Sequence, residues 1–179
     1  MRQQKNIEVE VRALISQAEF NRLKKFFDKN AKFLNRHQDE TVYFDKDGRV
    51  RLRREEHRAY FVHKGGKIHD KHREEFEITI SRSNFILGQK LLEALGKPPV
   101  VKWERERLVW QYQGMKTYLD NTRGYGRIFE LEAVVAPKSR EKAYNKMLGI
   151  FNGLKIAPTP KEKIQKHYDY YLKNWKKLL

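Results

Sequence analysis

The sequence predicts an antiparallel α+β fold, organised as one domain over residues 1–179, with about eight strands, enough to close into a barrel. Three observations carry this. Apolar and charged residues alternate at period two in stretch after stretch, as in strands with one buried and one polar face. Short turn-forming connections join most of these stretches, while only three or four segments repeat at the helical period. No linker, composition break or repeat period divides the chain.

Ile7-Glu8-Val9-Glu10-Val11-Arg12 opens the series. Ile7, Val9 and Val11 share one face. Glu8, Glu10 and Arg12 share the other, with the two carboxylates ~7 Å apart along the strand. Ser16-Gln17-Ala18-Glu19 has the capping-box pattern, and Phe20, Leu23 and Phe27 follow at helical spacing beside Phe26. They predict a helix over 17–30. Phe33 to Phe44 reads as a strand, and Asp45-Lys46-Asp47-Gly48 as a turn. Arg49-Val50-Arg51-Leu52-Arg53 alternates again, with cations only. Ala59 to Lys64 is the next strand, closed by Gly65-Gly66. Arg73 to Ile80 follows, with Phe76, Ile78 and Ile80 on one face and Arg73, Glu75 and Glu77 on the other.

Ser81 or Ser83 is the expected cap of a second helix carrying Phe85, Ile86, Leu87, Leu91, Leu92 and Leu95, ended by Gly96 and Pro98-Pro99. Val100 to Tyr112 is a long strand with Arg105 and Arg107 on one face. Gly114 marks a hairpin, Lys116 to Asp120 returns, and Arg123-Gly124-Tyr125-Gly126 is a loop. Ile128 to Val134 is the last strand, and its Glu130-Leu131-Glu132 repeats the carboxylate spacing of the first. A helix over 138–151 is expected to bury Ala143, Met147, Leu148 and Phe151. Residues 153–160 read as irregular, and Lys161 to Leu179 as a basic, aromatic helix.

Composition narrows the function. Hydrophobic residues make up 39% of the chain, enough for a core, which argues against wholesale disorder. The 39 Lys+Arg against 23 Asp+Glu leave +16, which calls for an anionic partner: nucleic acid, a phosphorylated small molecule or an anionic membrane. The absence of cysteine excludes a disulfide framework and a thiolate zinc site. No apolar run reaches the roughly 20 residues that span a bilayer, and no apolar signal core precedes Ile7. A cytoplasmic protein, monomer or homodimer, with no membrane partner is the expectation.

The charged faces admit two readings. Any half-exposed antiparallel sheet places polar residues outward, and Glu opposite Arg is a favourable cross-strand pair. Here, however, the charges are sorted. Carboxylates lead on the first, fifth and last strands, and cations on the third, fourth and sixth. If all those faces point one way they line a charged lumen, which requires neutralisation. Clustered carboxylates take a divalent cation, clustered arginines an oligo-anion, and a metal with a phosphate chain satisfies both. Oxygen ligands and phosphates select Mg²⁺ or Mn²⁺ over zinc or copper.

In their order these motifs resemble the CYTH superfamily, the triphosphate tunnel metalloenzymes, which include class IV adenylyl cyclases, thiamine triphosphatases and inorganic triphosphatases. Glu8-Val9-Glu10-Val11-Arg12 is similar to the family's opening E-x-E-x-K, with Arg in place of Lys. Arg51-Leu52-Arg53 resembles its R-x-R strand, Lys64-Gly65 its K-G strand end, and Arg73, Glu75 and Glu77 its R-x-E-x-E strand. Arg105 and Arg107 before Trp110 resemble its K-x-R-x-x-Y strand, and Asp120, Gly126 and Glu130-Leu131-Glu132 its closing segment.

The resemblance implies an eight-stranded antiparallel barrel, a tunnel with flanking helices that holds the triphosphate inside. It implies metal ligands among Glu8, Glu10, Glu75, Glu77, Asp120, Glu130 and Glu132. It implies phosphate contacts from Arg12, Arg51, Arg53, Lys64, Arg73, Arg105 and Arg107, with Glu8, Glu10, Arg12 and Lys64 at the catalytic centre. Tyr43 and Lys64 are positional candidates for the lysine–tyrosine pair some members use, and Lys163 for a further phosphate contact.

The expected activity is metal-dependent hydrolysis of inorganic tripolyphosphate or of a nucleoside or thiamine triphosphate. The alternative within the fold is cyclisation of ATP to cyclic AMP and pyrophosphate; outside it, a non-catalytic polyphosphate- or RNA-binding module. Nucleic acid is not the favoured partner, because Tyr168, Tyr170 and Trp175 are expected to pack against the sheet. His63, His69 and His72 fit a solvated hairpin better than a metal site, and Gly124-Tyr125-Gly126 fits a turn better than a dinucleotide fingerprint.

Overall fold

The structure is a computed structural model and describes residues 7–65 and 75–179. Among them are eight strands and four α-helices. The strands are β1 (Ile7–Ile15), β2 (Lys32–Tyr43), β3 (Val50–Arg54), β4 (Arg58–Lys64), β5 (Glu75–Ser81), β6 (Val101–Tyr112), β7 (Met115–Thr122) and β8 (Gly126–Val135). The helices are α1 (Gln17–Asn30), α2 (Phe85–Ala94), α3 (Arg140–Gly153) and α4 (Lys161–Leu178). The strands form one antiparallel sheet in the order β1-β8-β7-β6-β2-β3-β4-β5. The eight-stranded antiparallel sheet and its flanking helices are as expected. Its order is open, with β1 and β5 at the ends and no ladder joining them among the described residues.

The chain divides into two compact units, each discontinuous in sequence. The first comprises residues 1–36, 107–121 and 126–166, and the second residues 37–106, 122–125 and 167–179. In the first unit the apolar faces of β1 and β8 bury Val9, Val11, Ala13, Phe129 and Leu131 beneath α1 and α3. Phe27 of α1 lies 5.7 Å from both Trp110 and Phe129, centroid to centroid, and Phe129 lies 4.5 Å from Phe151 of α3. In α3 Ile150 joins Ala143, Met147 and Phe151 in the core, and Leu148 packs half-buried against it. A turn through Gln113 (φ 50°) and Gly114 (φ 82°) joins β6 to β7; with both residues left-handed, it matches the twist of the flanking strands. Beyond α3, Thr159 closes on the edge of β1, its N–H donating to the Arg12 carbonyl (3.0 Å) and its Oγ1 accepting from the Leu14 N–H (2.9 Å).

The start of α1 follows the capping rule. The Glu19 N–H donates to Ser16 Oγ (3.2 Å), and the Ser16 N–H donates to Glu19 Oε2 (2.7 Å). These bonds hold the Glu19 carboxyl below its usual value. A depressed carboxyl stabilises the fold at neutral pH, and that contribution is lost as pH falls through the folded value. Ser16→Ala is therefore expected to cost about 1 kcal/mol in urea unfolding at pH 7, with a smaller difference in acid.

The second unit buries Val42, Phe44, Leu52, Ala59 and Phe85 between β2–β4 and α2. Gly88 allows the close approach of the helix, since a Cβ there would stand 2.8 Å from the Phe61 ring. Two expectations are corrected here. Ser81 and Ser83 do not cap α2; their hydroxyls bond each other at 2.8 Å, and a 3₁₀ turn over Arg82–Asn84 leads into the helix. The apolar period of α2 is also not a burial pattern throughout, because Ile86, Leu87, Leu91 and Leu95 are exposed, as are Phe76 and Ile78 on β5.

Candidate active site

In the first unit the β1–β8 ladder pairs Glu10 with Glu132, Arg12 with Glu130 and Glu8 with Val134. Directly paired residues project to one face, so the four carboxylates expected from the sequence share the polar face of this pair. Glu8 is exposed at its end, while the Glu130 side chain is only 11% exposed. Arg12 lies across two of them, on Glu10 through Nη2 and 3.4 Å from Glu130 through Nε. Burial raises the Glu130 carboxyl above its usual value and the charges of Glu10 and Asp120 push it further, with Arg12 and Arg107 opposing them.

The hairpin through Gln113-Gly114 brings Arg107 of β6 to Asp120 of β7. Arg107 donates from Nε to Oδ1 (2.7 Å) and from Nη2 to Oδ2 (2.6 Å), a two-pronged pair. The guanidinium also sits 4.3 Å above the Tyr118 ring. The Tyr118 hydroxyl is pushed well above its usual range by burial, and by Glu132, to which it donates. Tyr118 was not legible in the sequence, where it is one apolar residue of a buried strand.

The second unit has a polar face of its own. The ladders align Tyr43, Arg51 and Val62, then Thr41, Arg53 and Tyr60, and set Glu77 opposite Val62 and Glu75 opposite Lys64. Arg53 is 2.8 Å from Glu77 and 3.3 Å from Glu55, with its guanidinium over Tyr60 at 4.7 Å. Arg51 lies over Tyr43 at 4.7 Å and donates from Nε to the Gly48 carbonyl at 2.7 Å. Arg105 donates from Nε to Asp39 Oδ1 at 2.8 Å, and Thr41 Oγ1 donates to Asp39 Oδ2 at 3.1 Å. Asp39 and Thr41 were missed in the sequence; the only signal is Asp39-x-Thr41-x-Tyr43, set in a polar run without clean alternation. Arg73, His69 and His72 lie outside the described residues.

One end of this face is covered by aromatic residues. Tyr168 and Tyr171 of α4 are buried, and Trp103 lies 4.5 Å from Tyr125 and 5.2 Å from Tyr171. Tyr171 donates to the Lys102 carbonyl at 2.8 Å, and burial raises its hydroxyl to about 12. These rings pack as expected of the basic helix, although Tyr170 is exposed. Lys163, offered as a phosphate contact, is exposed. On the opposite face Glu40, whose side chain is 16% exposed, meets Arg54 and Lys102, and Lys102 and Arg123 meet the more open Glu104.

The sorted charges thus neutralise one another within each unit. Around Glu130 the donor set is carboxylate oxygen without imidazole or thiolate, which suits a hard divalent ion. The raised Glu130 carboxyl beside Glu10 and Asp120 marks a place where further positive charge lowers the energy. Among the described residues, though, no three carboxylates or imidazoles are grouped to hold an ion. Arg12 occupies the space between Glu10 and Glu130, so ligation by both requires it to give way. No helix among the described residues is long and apolar enough to cross a membrane.

The profile of the CYTH domain matches residues 6–168. Comparison with curated protein sequences gives no match. Among solved structures, a conserved hypothetical protein from Pyrococcus furiosus superposes with a TM-score of 0.67 at 22% identity, over 84% of this chain and 91% of its own. A Bacillus halodurans protein described as a candidate adenylate cyclase gives 0.62 at 22% identity, over 92% and 98%. A Hippeastrum protein described as a candidate adenylyl cyclase with a dominant triphosphatase activity gives 0.63 at 17% identity, over 89% and 94%. At these identities the likeness is one of fold.

Proposed function

The chain belongs to the CYTH domain family, and from that premise we propose that it is a divalent-metal-dependent enzyme that hydrolyses a triphosphate, with its residues acting as one functional domain. The observation that supports this most is the surroundings of Glu130. A buried carboxylate that feels the charge of two others, with its proton affinity raised, Arg12 against it and the charge of Arg107 opposing, is costly for stability alone and typical of charge-handling sites.

Phosphoryl transfer asks a protein mainly for positioning and charge stabilisation. Arg53, Arg105 and Arg107 supply guanidinium groups whose planes are fixed by carboxylates, suited to phosphate oxygens. Arg12 exchanges a carboxylate partner for a phosphate oxygen when substrate enters. Glu10, Glu130 and Glu132 would hold Mg²⁺ or Mn²⁺, which supplies Lewis-acid neutralisation at the phosphate oxygens. Tyr118 holds Glu132 and supports Arg107.

The decisive experiment incubates the protein with tripolyphosphate, ATP and thiamine triphosphate, with Mg²⁺ or Mn²⁺, and assays orthophosphate and cyclic AMP. Metal-dependent orthophosphate release is the expected result. Cyclic AMP with pyrophosphate establishes the cyclase instead, the activity named in the description of the Bacillus halodurans relative. No turnover of any of the three overturns the enzyme reading.

A further inference from the structure

Arg105 and Arg107 stand two residues apart on β6, and each is gripped by a buried aspartate. The Asp120 side chain is 3% exposed and holds Arg107 through two hydrogen bonds. The Asp39 side chain is 2% exposed and accepts from Arg105 Nε, with Thr41 on its second oxygen. The two pairs lie in different units and take their aspartates from different strands, Asp39 from β2 and Asp120 from β7, yet the chemistry repeats. A nearly fully buried carboxylate takes the Nε edge of an arginine and thereby fixes the plane and roll of its guanidinium.

We propose that Asp39 is a positioning residue for phosphate binding. It holds Arg105 in the orientation in which the guanidinium meets a phosphate of the substrate, while Thr41 fixes the carboxylate. This rests on the triphosphate reading above. The physical grounds are independent of any sequence motif. A carboxylate taken so completely out of water is costly unless its charge is used, and a surface arginine needs no such partner to remain charged. Without Asp39, Arg105 keeps its charge but loses the anchor on its Nε edge, so binding must then fix more of its rotamer freedom. Asp39 acts only through Arg105, so its removal should have no effect where Arg105 is already gone.

The test measures tripolyphosphate binding by calorimetry, with turnover in parallel, for wild type, Asp39→Asn, Arg105→Gln and the double variant, with thermal unfolding of each. Asparagine keeps the shape and an acceptor for Nε but removes the charge. Asp39→Asn is expected to weaken binding and raise KM about tenfold with kcat changed less than about threefold, a loss of affinity worth about 1.4 kcal/mol. The double variant is expected to match Arg105→Gln. Should Asp39→Asn not fold, Thr41→Val exchanges only the hydroxyl for a methyl and is expected to raise KM about threefold, about half of the logarithmic effect. Wild-type affinity in a folded Asp39→Asn or Thr41→Val, or an equal loss from Asp39→Asn with and without Arg105, overturns the proposal and leaves the triphosphate reading standing. A wild-type protein that neither binds nor hydrolyses tripolyphosphate overturns both.

Discussion

Glu130→Gln is expected to abolish metal-dependent turnover and, at the same time, to make the fold more resistant to unfolding. The two effects come from one environment. Glu130 is buried, with Glu10 and Asp120 near, and its carboxyl is raised above the usual value. Between the unfolded and folded values the native state binds the proton more readily than the unfolded chain, so stability falls as pH rises through that window. Glutamine never acquires the charge. The variant should therefore match wild type in acid and exceed it progressively as pH rises above the ordinary carboxylate range. Turnover should fall by more than about a hundredfold, because a neutral amide holds a divalent cation far more weakly than a carboxylate and does not keep Arg12 in place. Urea unfolding at several pH values, with Mg²⁺ titrated into both proteins, checks this. Added metal should raise the midpoint of wild type and leave that of the variant unmoved. A variant less stable than wild type at pH 8 would mean that the Arg12 contact outweighs burial and repulsion.

Arg107→Met should be the most damaging single change at the site. Methionine fills much of the arginine stem's volume, so the loss is one of charge rather than of space. It leaves the Asp120 carboxylate, 3% exposed, without its two-pronged partner, and breaking such a buried pair costs about 3–5 kcal/mol. It also strips the cation from the Tyr118 ring. Asp120→Asn placed in the same chain should restore most of the stability, because the uncompensated charge is then gone. It should not restore turnover, which is expected to stay about a hundredfold or more below wild type, since the phosphate contact proposed for Arg107 is missing in both. Equilibrium unfolding and kcat/KM of the two variants separate the structural role from the chemical one. Full activity in a folded double variant would remove Arg107 from the site.

Much of this was readable in the chain because the informative spacings are local. Glu8, Glu10 and Arg12 share a face by strand geometry alone, and Ser16 and Glu19 cap a helix three residues apart. What sequence could not show was who neutralises whom. Arg105 is legible as a cation on a strand, but its partner Asp39 is on another strand in a run whose polarity hides the alternation. The pairing of Asp120 with Arg107, rather than with a carboxylate group, depends on a hairpin register set by two left-handed residues. α2 failed in a different way. Its apolar residues repeat at the helical period around more than the face that meets β3 and β4, and the sequence says nothing of how much of a helix its sheet can cover.

The ladder between β1 and β8 pairs Ile7 with Val135 and Arg12 with Glu130. During synthesis β1 emerges well before its partner β8, with β2 to β7 between them. Closing so long a loop is entropically expensive, and non-local pairing of this kind is slow. Until then the strand is an orphan edge, open to any neighbour with unpaired amides. Glu8, Glu10 and Arg12 along one side make it a poor template, since a wrong partner must accept charge on every second residue. The carboxylates offered above as metal ligands thus also disfavour wrong strand pairing, a role that needs neither metal nor substrate.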